Sequence, residues 1–325
     1  MRYFAAQFAP LLAAALVITT HDDAAAESPA PVQVFLLAGQ SNMEGQGVVD
    51  LDHPDYYNGG RGTLVDVLAK TNRPEMFQHV RTNNGEWAVR DDVWCRFKNS
   101  HGTKQGRLSI GFAGYPGHHH IGPEFQFGHV VGQALAEPVL LVKTAWGGKS
   151  LFQDFRPPRS GGATGPYYTQ MIAETREALE RMAIDFPDLK GREYKSAGLV
   201  WFQGWNDAFG PETARAEYEQ NLVNLILDIR DEFHSPHLPT VIGELGNGGE
   251  NAGDRIQEIR RAQAAAAVRK ELRGNVAFVK TTAFARPAEE SPNTGHGHHW
   301  FGNAESYFLI GDALGRAMVD LLTPQ

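Results

Sequence analysis

Five short apolar runs punctuate the chain at long intervals, at residues 32–37, 139–143, 197–202, 240–245 and 276–281. Each is rich in Val, Ile and Leu and is bounded by Gly, Pro or Asn, the pattern of strands buried on both faces. Longer stretches with helical spacing lie between them, at 124–136, 167–182, 213–233 and 254–272. In the third of these, Tyr218, Leu222, Leu225, Ile226, Ile229 and Phe233 recur on one face. A last helix over 304–322 carries Tyr307, Ile310, Leu314, Met318 and Leu321 on one side. Parallel neighbours need a helix to return the chain, so this alternation predicts an α/β three-layer sandwich, α/β/α, around a five-stranded parallel sheet.

One stretch breaks the pattern. Residues 48–121 are rich in Gly, Asn, Asp and His and show no clear period. They read as a long loop insertion after the first strand, inside a single domain over 31–325. Ligands of open parallel sheets sit beyond the carboxyl ends of the strands, and such an insertion can wall that edge.

The first 26 residues read as a signal peptide. Arg2 supplies a positive start, residues 8–19 an apolar stretch, and Ala24, Ala25 and Ala26 a small-residue cleavage site. The apolar stretch is shorter than a membrane span. The expectation is a secreted or periplasmic protein with no membrane association after cleavage.

Composition narrows the partners. Of 325 residues, 42% are hydrophobic and 21% charged, with a formal net charge of −8. That balance offers no footprint for nucleic acid or anionic lipid. Cys95 is the only cysteine, so no intrachain disulfide forms. Between Trp94 and Arg96 it reads as an inert buried thiol.

The residues just past each strand share one edge of a parallel sheet. Past the first comes Gly39-Gln40-Ser41-Asn42, and past the second Trp146-Gly147-Gly148-Lys149-Ser150. Past the third comes Gln203-Gly204-Trp205-Asn206-Asp207, and before the last helix His296-Gly297-His298-His299-Trp300. Serine, paired glycines, amides and histidine are the parts of acyl transfer: nucleophile, oxyanion donors and base. Singly, each has a plainer role. Ser41 suits a helix N-cap, Gly147 and Gly148 a tight turn, and Gln203 and Asn206 turn positions. The joint placement carries the case.

Taken together, Gly-Gln-Ser-Asn-Met, Lys-Thr-Ala-Trp-Gly-Gly-Lys-Ser-Leu, Trp-Phe-Gln-Gly-Trp-Asn-Asp and a histidine before Asn-Ala-Glu-Ser-Tyr resemble a known set. The chain is similar, from residue 32 onward, to the sialate O-acetylesterase and acetylxylan esterase branch of the SGNH hydrolases. The resemblance implies a flavodoxin-like SGNH fold and a serine acetylesterase acting on an acetylated carbohydrate without a cofactor. It matches Ser41 to the nucleophile and Gly148, or its neighbour Gly147, to the glycine of the oxyanion hole. Either Gln203 or Asn206 can donate the side-chain amide. His299 matches the base, with His298 as the alternative in register. Gln40, Asn42, Trp146 and Trp205 would face the substrate.

Two departures from the branch stand out. Trp205 occupies the place of a glutamate, and the usual Asp-x-x-His is missing because His296 stands three residues before His299. The orienting acid is then Glu289, Glu290 or Asp207, or a Ser-His dyad operates without one. Met43 excludes the Gly-x-Ser-x-Gly elbow of the α/β-hydrolases. Neither His118-His119-His120 nor His296, His298 and His299 has an established zinc-ligand spacing, so no metal is expected. A carbohydrate-binding protein without catalysis, or a lipase or thioesterase on the same fold, is the alternative.

Overall fold

All five apolar runs form strands, and two further strands join them. The computed structural model describes residues 1–3, 5 and 29–323. The apolar stretch at 8–19 and the expected cleavage site at 24–26 lie outside them. The strands are β1 (Val32–Gly39), β2 (Gly47–Val48), β3 (Val93–Asn99), β4 (Gly102–Arg107), β5 (His120–Ile121), β6 (Val139–Ala145), β7 (Tyr194–Phe202), β8 (Thr240–Gly243) and β9 (Val276–Val279). Seven of them form one sheet in the order β4-β3-β6-β1-β7-β8-β9. Every neighbouring pair in it is parallel except β3 with β4. β2 and β5 form a separate antiparallel ribbon.

The five-stranded expectation is therefore corrected to seven, and the surplus comes from the insertion. β3 reads Val-Trp-Cys-Arg-Phe-Lys-Asn, so two cations interrupt its apolar residues. Arg96 is nevertheless buried, because Glu177 Oε1 accepts from it at 2.8 Å and Asp185 lies 3.4 Å away. β4, Gly-Thr-Lys-Gln-Gly-Arg, is an edge strand with mostly exposed side chains and no apolar face to detect. The region 48–121 thus extends the sheet as well as bordering its carboxyl edge.

β1 is buried along its whole length between β6 and β7. Its alternate side chains feed two cores. Phe35 and Leu37 pack with Phe125, Phe127, Val131, Tyr307, Ile310 and Leu314, which belong to helices Pro123–Ala134 and Ala304–Leu322. Leu36 and Ala38 face Met171, Leu222, Ile226 and Ile259, from helices Pro166–Glu180, Glu212–Glu232 and Asp254–Ala267. Two helices on one face and three on the other complete the expected sandwich. The helix expected over 254–272 ends at Ala267, where exposed Val268 starts the return to β9.

A buried ion pair joins the layers beneath the carboxyl edge. Lys143 Nζ, on β6, donates to Glu124 Oε2 at 2.6 Å, Phe112 O at 2.7 Å and Glu44 O at 2.6 Å. Both charged side chains are fully buried. Lys143→Ala leaves a buried carboxylate without its partner and should cost about 3–5 kcal/mol. Lys143→Met with Glu124→Gln should recover much of that loss. Denaturant midpoints of the two variants check this; a loss under about 1 kcal/mol for the single change would mean the pair is not an anchor.

Candidate active site

β1 delivers the serine to the edge. Gly39 lies so close to β7 that an added Cβ would sit 2.2 Å from Phe202 O, so the strand end admits no side chain. The chain then turns into a four-residue helix, Ser41–Glu44, whose cap position is Gln40 and has no side-chain cap bond. Ser41 is thus the first helical residue and not its cap. Its Oγ lies 2.9 Å from Nε2 of His299. Burial, with His298 and His296 adding to it, pushes His299 down to about 3. The imidazole is neutral near pH 7, and its lone pair can take the serine proton.

A polar scaffold holds the histidine segment. Asn42 donates to Asn247 Oδ1 at 3.2 Å, and Asn247 donates to the carbonyls of Gly297 and His298 at 3.2 and 3.1 Å. Tyr307 donates to Asn42 Oδ1 and to His299 O, at 3.3 and 3.4 Å. Arg260 in turn donates to the carbonyls of Leu245, Asn247 and Gly249. Trp300 and Phe301 follow the histidine with φ of 55° and 53°, a left-handed pair with no glycine. Strain of that kind persists only where surrounding contacts over-determine the backbone.

A second scaffold holds the opposite wall. Gln40 donates to Asn206 Oδ1 at 2.9 Å, while its own Oε1 accepts from the amides of Gly204 and Asn206 at 3.0 and 3.4 Å. That fixes the Asn206 carboxamide by its oxygen and leaves its NH2 group available. Gln203 differs. Its NH2 donates to Lys149 O at 3.0 Å and Asp207 Oδ2 at 2.6 Å, so no free donor remains for an oxyanion. Asp207 also accepts from the amides of Leu151 and Phe152, at 2.8 and 2.9 Å. Burial pushes its carboxyl up to about 6 against those bonds. Asp207 therefore props the loop after β6. In that loop Gly147 packs by Ser41, since a Cβ on it would lie 3.6 Å from the serine Cβ. Gly148 takes a φ of 73° with open space beside it.

The other expected residues divide clearly. His298 packs tilted against His299 at 4.0 Å between ring centroids, and His299 is the ring that meets Ser41. None of Asp207, Glu289 and Glu290 hydrogen-bonds His299; the backbone carbonyls of the two glutamates accept from Asn58 and Asn303. Gln40 and Asn42 are buried and committed to protein partners, so they are scaffold and not ligand contacts. Trp146 packs on Phe155 and Tyr167 and belongs to the core. Trp205 alone of the expected four fits a ligand surface, stacked 4.6 Å from Phe209, which is 49% exposed. His119 pairs with Asp50 and His120 stacks on Tyr115. Among the described residues no group of three or more His, Cys, Asp or Glu side chains is arranged to hold a metal ion.

Sequence reasoning passed over four contributors. Asn247 follows β8 and occupies the same edge, a signal the position of the strand supplies. Glu44 and Gln46 lie within the serine motif itself, and Tyr307 was read only as a buried helix residue. The Glu44 carboxyl sits beside Gly147, where an added Cβ would meet its Oε2 at 3.1 Å. Burial pushes it up to about 7, with Lys143 and the Gly147 amide pulling the other way.

A hydroxyl against a neutral imidazole, beside glycine amides at the carboxyl edge of a parallel sheet, is the layout of an ester hydrolase. The family model for carbohydrate esterase, sialic acid-specific acetylesterase, matches residues 31–319. The chain belongs to that family of carboxylic ester hydrolases. It is 26% identical over 242 residues to a protein of Arabidopsis thaliana named a probable carbohydrate esterase, covering 73% of this chain and 76% of that one. A solved Arabidopsis thaliana structure shares the fold with a TM-score of 0.57 and 20% identity, over 89% of this chain and 98% of that one. A carbohydrate acetylesterase from Xanthomonas citri is similar in fold, with a TM-score of 0.53 and 15% identity, over 88% of this chain and 55% of that one.

Glu44 makes the site sensitive to pH through stability. A carboxyl raised in the folded state binds its proton more tightly there, so its contribution is present below the unfolded value and lost as pH rises through about 7. Glu44→Gln removes that titration. Acidification from pH 8 to pH 5 should raise the melting temperature of the parent relative to the variant; parallel melting curves across that range would contradict this.

Proposed function

We propose that the protein is a serine carbohydrate O-acetylesterase that releases acetate from an acetylated glycan. The observation that carries this is the 2.9 Å contact between Ser41 Oγ and His299 Nε2 in a chain of the acetylesterase family. His299 Nε2 takes the hydroxyl proton as Ser41 Oγ attacks the acetyl carbonyl. The carbonyl oxygen becomes the oxyanion, met by the backbone amides of Ser41 and Gly148 and by the NH2 of Asn206. Collapse of the tetrahedral intermediate passes the proton from His299 to the departing sugar oxygen and leaves an acetyl-serine. Water, deprotonated by the same ring, then frees acetate. Among the described residues no carboxylate hydrogen-bonds His299, which supports a dyad over a triad. The signal-like pattern of residues 8–26 supports export before the protein meets its substrate.

Trp205 supports a sugar substrate over a fatty acyl one. With Phe209 and His298 it forms a ring-lined wall that adjoins the histidine segment, its centroid 4.6 Å from the first and 5.9 Å from the second. Aromatic faces stack on the apolar faces of sugars.

The decisive experiment is acetate release from a panel of acetylated xylan, acetylated sialic acids and long-chain esters. Ser41→Ala and His299→Ala should each lower kcat by about 10⁴ with folding intact, since removal of either partner disables the pair. Retention of more than a few per cent of the activity in Ser41→Ala removes the serine mechanism. No release from any acetylated glycan, with binding preserved, would favour the non-catalytic alternative.

Trp205→Ala should raise KM on the glycan several-fold and leave kcat/KM on a small aryl acetate nearly unchanged. Equal losses on both substrates would mean the indole shapes the serine and not the sugar site.

A further inference from the structure

The base of a Ser-His pair must carry its proton on Nδ1, so that Nε2 is free to accept from the serine. In a triad the acid enforces this by holding Nδ1–H. Here, among the described residues, no hydrogen bond reaches Nδ1 of His299. A second side chain does reach Nε2. The carboxamide nitrogen of Gln46 lies 3.4 Å from it, on the same ring nitrogen as Ser41 Oγ. The other end of that carboxamide is anchored, because Tyr115 donates to Gln46 Oε1 at 3.1 Å. Gln46 is buried, which limits its freedom to turn away.

We propose that Gln46, anchored by Tyr115, is a positioning residue that sets the tautomer of His299 from the Nε2 side. An amide NH2 can only donate, so beside Nε2 it favours the imidazole whose proton is on Nδ1. An oxygen in the same place would draw the proton to Nε2 and turn the ring against its serine. Around His299 the other titratable groups add no competing acceptor at Nε2. The rings of His298 and His296 lie 4.0 and 6.3 Å away, the Tyr307 hydroxyl bonds the His299 carbonyl, and the Glu44 carboxyl is held at Gly147.

This assignment rests on the serine acetylesterase reading for its effect on turnover, but the tautomer itself is observable without turnover. The experiment compares the full-length parent with Gln46→Glu, Gln46→Met and Tyr115→Phe, by ¹⁵N NMR of the histidine rings and by kcat and KM against pH. His299→Ala identifies its signals. The parent should show the Nδ1–H form at neutral pH. Gln46→Glu replaces the donor with acceptors. It should move the proton to Nε2, shift the acid limb of kcat upward by at least about one pH unit, and lower kcat by 10²- to about 10⁴-fold, as a wrong tautomer does in a triad. Gln46→Met, close in volume and lacking the donor, should lower kcat about 10-fold with KM unchanged. Tyr115→Phe should fall between the parent and Gln46→Met. An Nδ1–H ring and an unmoved acid limb in Gln46→Glu overturn the proposal, as does a Gln46→Met enzyme with parental kcat. If the parent hydrolyses no ester yet Gln46→Glu still moves the proton, the tautomer assignment stands and the esterase reading falls.

Discussion

The carboxyl edge depends on one buried ammonium. Lys143 Nζ is satisfied by three oxygens from three separate segments: Glu124 at the start of a flanking helix, Phe112 in the insertion and Glu44 at the end of the serine helix. A charge fully removed from water is tolerable only when its donors are all met, and here each bond also ties down a piece of chain. β6 therefore carries the bolt that holds the serine helix, the insertion and the flanking helix Pro123–Ala134 in fixed relation. Without it the glycine loop and the serine would belong to elements free to drift, and catalytic geometry tolerates little drift.

Above that anchor, neutral amides perform the positioning that charged residues perform in other hydrolases. Gln40 clamps the Asn206 wall, Asn42 and Asn247 hold the histidine segment, and Gln203 links Asp207 to Tyr218. An amide offers both donors and acceptors at small desolvation cost, so a chain of them can be buried with every group satisfied. The one buried carboxylate in the set, Asp207, receives three hydrogen bonds and supports a loop. It has no bond to His299.

How far this was legible in the sequence follows from how each signal arises. Parallel strands inside the sheet are almost continuously apolar, so β1, β6, β7 and β8 announce themselves, short apolar β9 at the border does so too, and the last helix shows in the spacing of its apolar face. β3 escaped because Arg96 is neutralised by Glu177 and Asp185, which lie over 80 positions further along and cannot be inferred locally. Ser41 and His299 were readable because each sits next to a strand or helix end with a distinctive motif. The roles of Gln203, Gln40 and Asn42 were not, since an amide looks alike in sequence whether it points at a ligand or into the protein. Only the partner atoms separate the two.

The hairpin of β3 and β4 has a meaning for solubility as well as for the site. β3 presents Val93, Trp94, Cys95 and Phe97, all buried, and as an outer strand it would offer a bare ladder of backbone donors and acceptors to any passing chain. β4 takes that place with Lys104, Gln105 and Arg107 and two glycines, a row that another strand has little reason to join. At the far side β9 is only four residues long. With a polar outer strand at one border and a four-residue strand at the other, the sheet closes itself against joining its own copies.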